Sequence, residues 1–219
     1  LVKGGADPNF VPDMSDLPKS VVQSELKQFG NVPKAKKYKS FMTLVMFNRR
    51  PPLGLAAAYD HPACVRELVE KGAEVSKAAP GGYTSLMGAV DIGKSAAVTD
   101  LLLHAGADVH ARTKRGVTAL FMVVGEAREI PFPPYCLRCA KLLIKAGADV
   151  NAVDNAGDTP LIFAAGAKGA LPLVRLLVSS GADINYRNPK TGMTALKAAR
   201  AAGTIKIMDY LKANGAASH

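Results

Sequence analysis

Three cysteines in 219 residues are too few for a secreted disulfide scaffold, so an intracellular protein is expected. Long apolar runs are missing too. The run Phe41 to Phe47 falls well short of the roughly 18–20 residues that a membrane-spanning helix needs. No secretory leader is visible. The four histidines are scattered, at His61, His104, His110 and His219. No serine, cysteine or threonine has a recognisable base partner, and no carboxylate pair stands out. Glycines occur, but at regular intervals rather than as a phosphate-cradling loop. Catalysis needs convergent groups, and this inventory offers none, so neither an enzyme nor a bound cofactor or metal is expected. Acidic residues are absent between Leu26 and Tyr59, while Lys27, Lys34, Lys36, Lys37, Lys39, Arg49 and Arg50 supply +7 of a net +10. One segment therefore carries most of the charge imbalance.

A periodic tripeptide is what the chain does have. Gly5-Ala6-Asp7, Gly72-Ala73-Glu74, Gly106-Ala107-Asp108, Gly147-Ala148-Asp149, Gly181-Ala182-Asp183 and Gly215-Ala216 follow one another at gaps of 67, 34, 41, 34 and 34 residues. The first gap is close to two repeats, and a period in this range means stacked supersecondary units. Before each Gly-Ala lies an apolar run with spacings of three and four, such as Val65, Leu68 and Val69 or Leu173, Val174 and Leu177, which predicts a helix. The glycine ends that helix, because it enters the left-handed conformation without steric penalty. About twelve residues on, Thr84-Ser85-Leu86, Thr118-Ala119-Leu120, Thr159-Pro160-Leu161 and Thr194-Ala195-Leu196 open the next helix. Threonine is a good N-cap there, and Pro160 fits the first helical position. Each unit thus reads as helix, loop, helix, then an extended finger with a glycine-bearing turn (Gly81-Gly82, Gly116, Gly157, Gly192). Cys64 and Cys139 sit eight residues before their Gly-Ala, where other units place Val98 and Leu173, so both are expected in the core. Cys136 and Cys139 form a C-x-x-C without a second pair, which favours packing over redox or metal chemistry.

The stretch from Gly147 through Asp154-Asn155-Ala156-Gly157-Asp158 to Thr159-Pro160-Leu161 resembles an ankyrin repeat almost letter for letter. The resemblance covers roughly Pro51 to the C-terminus, plus Leu1 to Asn9 as the tail of an earlier copy. It implies an all-α solenoid of helix-loop-helix units with hairpin-like fingers, and protein partners held on its concave face. Units are expected at about 51–83, 84–117, 118–158, 159–193 and 194–219, with a degenerate basic unit at 10–50. A start within a repeat leads us to expect a longer natural protein, or one with its start removed. The histidine that usually follows Thr-Pro-Leu is replaced by Gly54, Met87, Phe121, Ile162 or Lys197. That histidine ordinarily ties neighbouring units, so this stack is expected to lean more on apolar packing.

Three regions are candidates for function. Phe10 to Arg50 holds plausible helices at Ser20–Phe29 and Phe41–Phe47 around a basic loop; Lys34, Lys36, Lys37, Lys39, Arg49 and Arg50 form a patch that either contacts phosphates or an acidic protein, or merely keeps the chain soluble. The gap of 41 contains an insertion, Glu129-Ile-Pro-Phe-Pro-Pro-Tyr135, between helices expected at Thr118 to about Ala127 and about Leu137 to Lys145. Phe132 and Tyr135 there either anchor a partner or fold back onto the stack. On the concave face the resemblance implies contacts from the finger tips and from the ends of the first helices. The tips carry Lys77, then Arg112, Lys114 and Arg115, then Arg187 and Lys190. The helix ends carry the small residues Ala58, Gly125, Gly166, Ala167, Ala201 and Ala202, with Tyr59, Tyr83 and Ile92 as larger exceptions. Small residues beside basic tips suit an acidic segment, unless the tips are charged only for solubility. Two functions follow: a non-catalytic interaction scaffold within a larger assembly, or an RNA-associated structural subunit that uses residues 34–50.

Overall fold

The computed structural model describes residues 51–126 and 132–217. The expected basic patch, the degenerate unit and the N-terminal tail lie outside those residues. Among the described residues ten helices follow in sequence: α1 (Pro52–Ala58), α2 (Pro62–Glu70), α3 (Ser85–Asp91), α4 (Ala96–His104), α5 (Ala119–Glu126), α6 (Pro134–Lys145), α7 (Pro160–Ala165), α8 (Leu171–Ser179), α9 (Ala195–Ala201) and α10 (Ile205–Ala213). No strand occurs among the described residues. Odd-numbered helices pack on one another in a first row, even-numbered helices in a second, and each odd-numbered helix packs on the even-numbered one that follows it. The architecture is an all-α solenoid.

The repeated tripeptide has a physical reason at each letter. Gly147, with φ +93°, leaves the helix in the left-handed conformation. That turn aims the Ala148 N–H back at the Leu143 carbonyl, 2.9 Å away, which satisfies an otherwise orphaned acceptor at the end of α6. The same bond recurs as Ala73 to Leu68, Ala107 to Leu102, Ala182 to Leu177 and Ala216 to Leu211. The alanine methyl is small enough to be buried beneath the turn. The aspartate then accepts the N–H two residues on: Asp108 from His110, Asp149 from Asn151, and Asp183 from Asn185, at 2.8–2.9 Å. Helix starts are equally regular. The hydroxyls of Thr84, Thr118, Thr159 and Thr194 each accept the N–H three residues later.

The core is a set of columns rather than a centre. Leu53, Leu86, Leu120, Leu161 and Leu196 form one along the first row, and Leu68, Leu102, Leu143, Leu177 and Leu211 another along the second; all are buried. Each such leucine contributes roughly 1.5–3 kcal/mol of burial, shared only with adjacent units. The expected shift toward apolar packing at the missing histidine is visible: Met87, Phe121 and Ile162 are buried, and Phe121 meets Phe163 edge-to-face at 5.6 Å. Cys139 is buried against Thr99 of α4, its Sγ 3.7 Å from the hydroxyl. Cys64 departs from expectation and is exposed. At Cys139 the cover comes from the second-row helix of the preceding unit; for α2 that unit falls before Pro51, outside the described residues.

The insertion also differs from its expected layout. The helix α6 starts at Pro134, three residues earlier than read from the sequence, because proline at the first helical position costs no hydrogen bond. Tyr135 is therefore in the first turn of a helix rather than in a loop.

Candidate partner-binding groove

Successive fingers are stitched at two levels. At their roots, Asn151 donates to the Gly181 carbonyl at 3.0 Å and accepts from the Asp183 N–H at 2.8 Å. Asn185 does the same to Gly215 and Ala217, and Ser76 to Gly106 and Asp108. At their tips, the Asn155 side chain donates to the Lys114 carbonyl and its N–H to the Arg115 carbonyl. Asn188, buried, donates to Ala156 and to the Asp158 carboxylate. Gly157 permits this approach: a Cβ there would lie 2.6 Å from the Asn188 Oδ1.

Part of the expected basic tip set is spent on this stitching. Arg112 donates to the Val153 carbonyl at 2.8 Å and Lys190 to the Asn155 carbonyl at 2.6 Å. Lys77 pairs with Glu74 at 3.0 Å. Lys114, Arg115 and Arg187 are exposed, and their cationic ends make no ion pair or hydrogen bond among the described residues.

The small residues of the first row open a recess of about 570 Å³ between α7, α9 and the fourth finger. Its floor includes Phe163, Gly166, Ala198 and Ala202, and its rim carries Asp158, Lys168 and Met193. Gly166, Ala167, Ala201 and Ala202 are brought together here, as the sequence suggested. Ala58 and Ala167 are nevertheless buried, Ala58 because α3 crosses it with Gly88 in contact. Sequence reasoning missed Met193, Thr191 and Lys168. The signal was present, since Gly181 to Thr194 spans 13 residues where the other fingers span 12. The extra residue makes Asn188 close onto Met193 and turns Thr191 and Met193 toward the recess.

Of the larger candidates, Tyr59 and Ile92 sit at the C-terminal ends of their first-row helices, the same step of the repeat as Gly166 and Ala202, while Tyr83 lies on the finger side just before α3. Tyr59 is exposed at the end of α1, and Ile92 is half-buried at the end of α3. The Tyr83 hydroxyl donates to the Asp91 carboxylate at 2.6 Å, tying the first finger to α3. Phe132 and Tyr135 are half-buried against the stack. Lys94, from the α3–α4 loop, pairs with Glu126 at 2.8 Å and lies over the Tyr135 ring, while the Tyr135 hydroxyl donates to Glu126. Phe132 lies against Gly169 in the loop of the next unit. Burial raises the Tyr135 hydroxyl well above the ordinary phenol value, with Cys136 and Glu126 adding to it.

Burial also pushes the Cys136 thiol up to about 11 and raises that of Cys139. Both are therefore protonated at neutral pH and poor nucleophiles. No group of three His, Cys, Asp or Glu side chains suited to a metal ion occurs among the described residues. No helix among them is long and apolar enough to cross a membrane.

A stack with Schellman-type Gly-Ala turns, threonine-capped first helices and finger-to-finger bridges can be compared with known families. The family model for ankyrin repeats in three copies matches residues 86–188 and again 135–218, and the single ankyrin-repeat model matches residues 48–79. The chain belongs to the ankyrin-repeat family. It is also similar to a protein of Treponema pallidum (strain Nichols) described as ankyrin repeat-containing, with 40% identity over 76 residues. That alignment covers 34% of this chain and 25% of the relative, so the chain spans about a quarter of the length of the curated protein it matches. Ankyrin repeats generally mediate protein–protein interaction, and the family is typically non-catalytic.

Proposed function

We propose that this ankyrin-repeat chain is a non-catalytic platform within a larger assembly, holding an acidic segment of a protein partner along the groove between its first-row helices and fingers. The observation that carries this reading is the recess between α7, α9 and the fourth finger. It combines an apolar floor of small residues with a polar rim that carries both Lys168 and Asp158, and Lys114, Arg115 and Arg187 lie along the finger tips with their charges unpaired among the described residues. A side chain of the partner would fill the recess, and carboxylates would meet the tips, giving register through charge and affinity through apolar burial. Tyr59 and Ile92 extend the same contact along the loop edge. Phe132 and Tyr135 bound that edge and contribute through whatever part of them remains accessible.

Gly166 offers a clean test. It has no positive φ, and a Cβ there would meet nothing closer than 3.7 Å, so Gly166→Phe fills the recess without forcing the backbone. Affinity capture from native lysate with wild-type chain and with Gly166→Phe should differ by at least one specific partner, with the melting temperature unchanged. An identical set of captured proteins would refute the groove reading.

A further inference from the structure

At the position where ankyrin units usually carry histidine, three units bury an apolar side chain, but the last described unit carries Lys197. Its ammonium reaches back to the Gly192 carbonyl at 3.3 Å. Arg187 approaches the same glycine from the other arm of the finger, its Nη2 3.2 Å from where a Cβ on Gly192 would lie. The two side chains together line a recess of about 90 Å³ with Ile184, Leu196, Thr194 and Ala217, and no carboxylate lines it. Two like charges held beside the same glycine, lining one recess, disfavour each other unless an anion neutralises them. Ile184, Leu196, Ala216 and Ala217 give the recess apolar walls beside the polar Asn185 and Thr194, which favours an ion pair formed there over one on the open surface.

From this we infer that Arg187 and Lys197 form a carboxylate-binding notch, which takes an aspartate or glutamate side chain from an acidic protein segment. The guanidinium supplies a planar pair of donors and the ammonium a third, while Ile184 and Leu196 accept the methylene stem. This deepens the platform reading and rests on it for the identity of the partner, but the notch itself can be tested separately. It also gives Lys197 a role that its place in the repeat pattern does not explain.

The test is amide chemical-shift titration of the full 219-residue chain at low salt. The probes are a blocked pentapeptide of four glutamates around one leucine, its glutamine counterpart, and inorganic phosphate. The glutamate peptide should give saturable shifts at Gly192, Lys197, Ala216 and Ala217, and the glutamine peptide none. Lys197→Met and Arg187→Gln should each weaken the response about tenfold, the loss of one charge-assisted bond. Lys197→Met is expected to fold, because Met87 occupies the corresponding position in an earlier unit. Lys141→Gln on α6, away from the notch, should change nothing. Equal shifts with both peptides, shifts spread over the surface, or an undiminished response in Lys197→Met would overturn the assignment. Saturation by phosphate without saturation by the glutamate peptide would overturn it in favour of a phosphate site. Loss of the notch leaves the Gly166→Phe capture result untouched, and loss of the capture difference leaves the notch titration untouched, so the two failures are distinguishable.

Discussion

The joint between the third and fourth fingers and the joint between the second and third solve one problem in different places. Asn151 closes the former at the finger root with two hydrogen bonds to the next turn. At the corresponding position of the second finger stands His110, and no side chain among the described residues bridges from it to Gly147 or Asp149. That joint is held at the tips and along the loop edge instead. There Lys94 of one unit grips Glu126 and Tyr135 of the next. The unit that lacks the root staple is followed by the one that carries the insertion, and the insertion supplies the latch. In a solenoid, neighbour coupling is the only long-range cohesion, so a joint weakened at one edge has to be tied at the other.

Breaking the loop-edge tie should have the largest effect. Phe132→Ala removes a half-buried ring that packs against the core, and we expect it to cost about 2 kcal/mol, read as a lowered denaturant midpoint. If stability holds while partner capture falls, the ring serves recognition instead. Asn151→Ala should cost about 1.5 kcal/mol, since the bridged groups are exposed and water replaces part of the bond energy. Amide exchange should then quicken at Asp183, while the second joint stays unchanged. Tyr135→Phe keeps the ring under Lys94 but loses the hydroxyl bond to Glu126, for about 1 kcal/mol. His110→Asn, which transplants the staple, should raise stability by about 0.5–1 kcal/mol. A neutral or negative result would show that the longer interval has moved the two roots apart.

The smallest effect at neutral pH is the titration of the buried thiols. Cys136 and Cys139 carry folded-state values above the unfolded one, so the stability they contribute is fully present below about pH 9. The unfolded thiols ionise first as pH rises, and that stability is lost on the way to about 11, the value for Cys136. Denaturation midpoints should therefore fall through that window and recover in Cys136→Ala with Cys139→Ala. Native alkylation at pH 8 should modify Cys64 alone, because it is exposed and the other two are buried. Labelling of Cys139 under native conditions would report opening of the α4–α6 joint.

The groove was only partly legible from the chain. Gly166, Ala201 and Ala202 were marked by their place in the repeat, but the recess needs Met193 and Thr191, which turn inward because the fourth finger is one residue longer. Charge at the tips was readable; its availability was not. Arg112 and Lys190 bond carbonyls in a neighbouring finger that lie 41 and 35 residues away in sequence. Lys197 deviates from the repeat pattern, and only the fold sets it and Arg187 against the same glycine.

Taken alone, the sequence determined the repeat, the helix-loop-helix units and the columns of leucine, though not the start of α6, because these depend on local rules: a glycine that turns left-handed, a threonine that caps, an apolar residue every third or fourth position. Even the anomalies in spacing were local, and they pointed to the insertion. Tertiary structure decided which polar side chains are free and which are spent, since hydrogen bonds between fingers join residues about one repeat apart and no local rule predicts them. It also decided the fate of Cys64, exposed where Cys139 is buried at the same step of the repeat. In a stack, burial belongs to the neighbour that covers a residue, and the repeat pattern records the residue but not its cover.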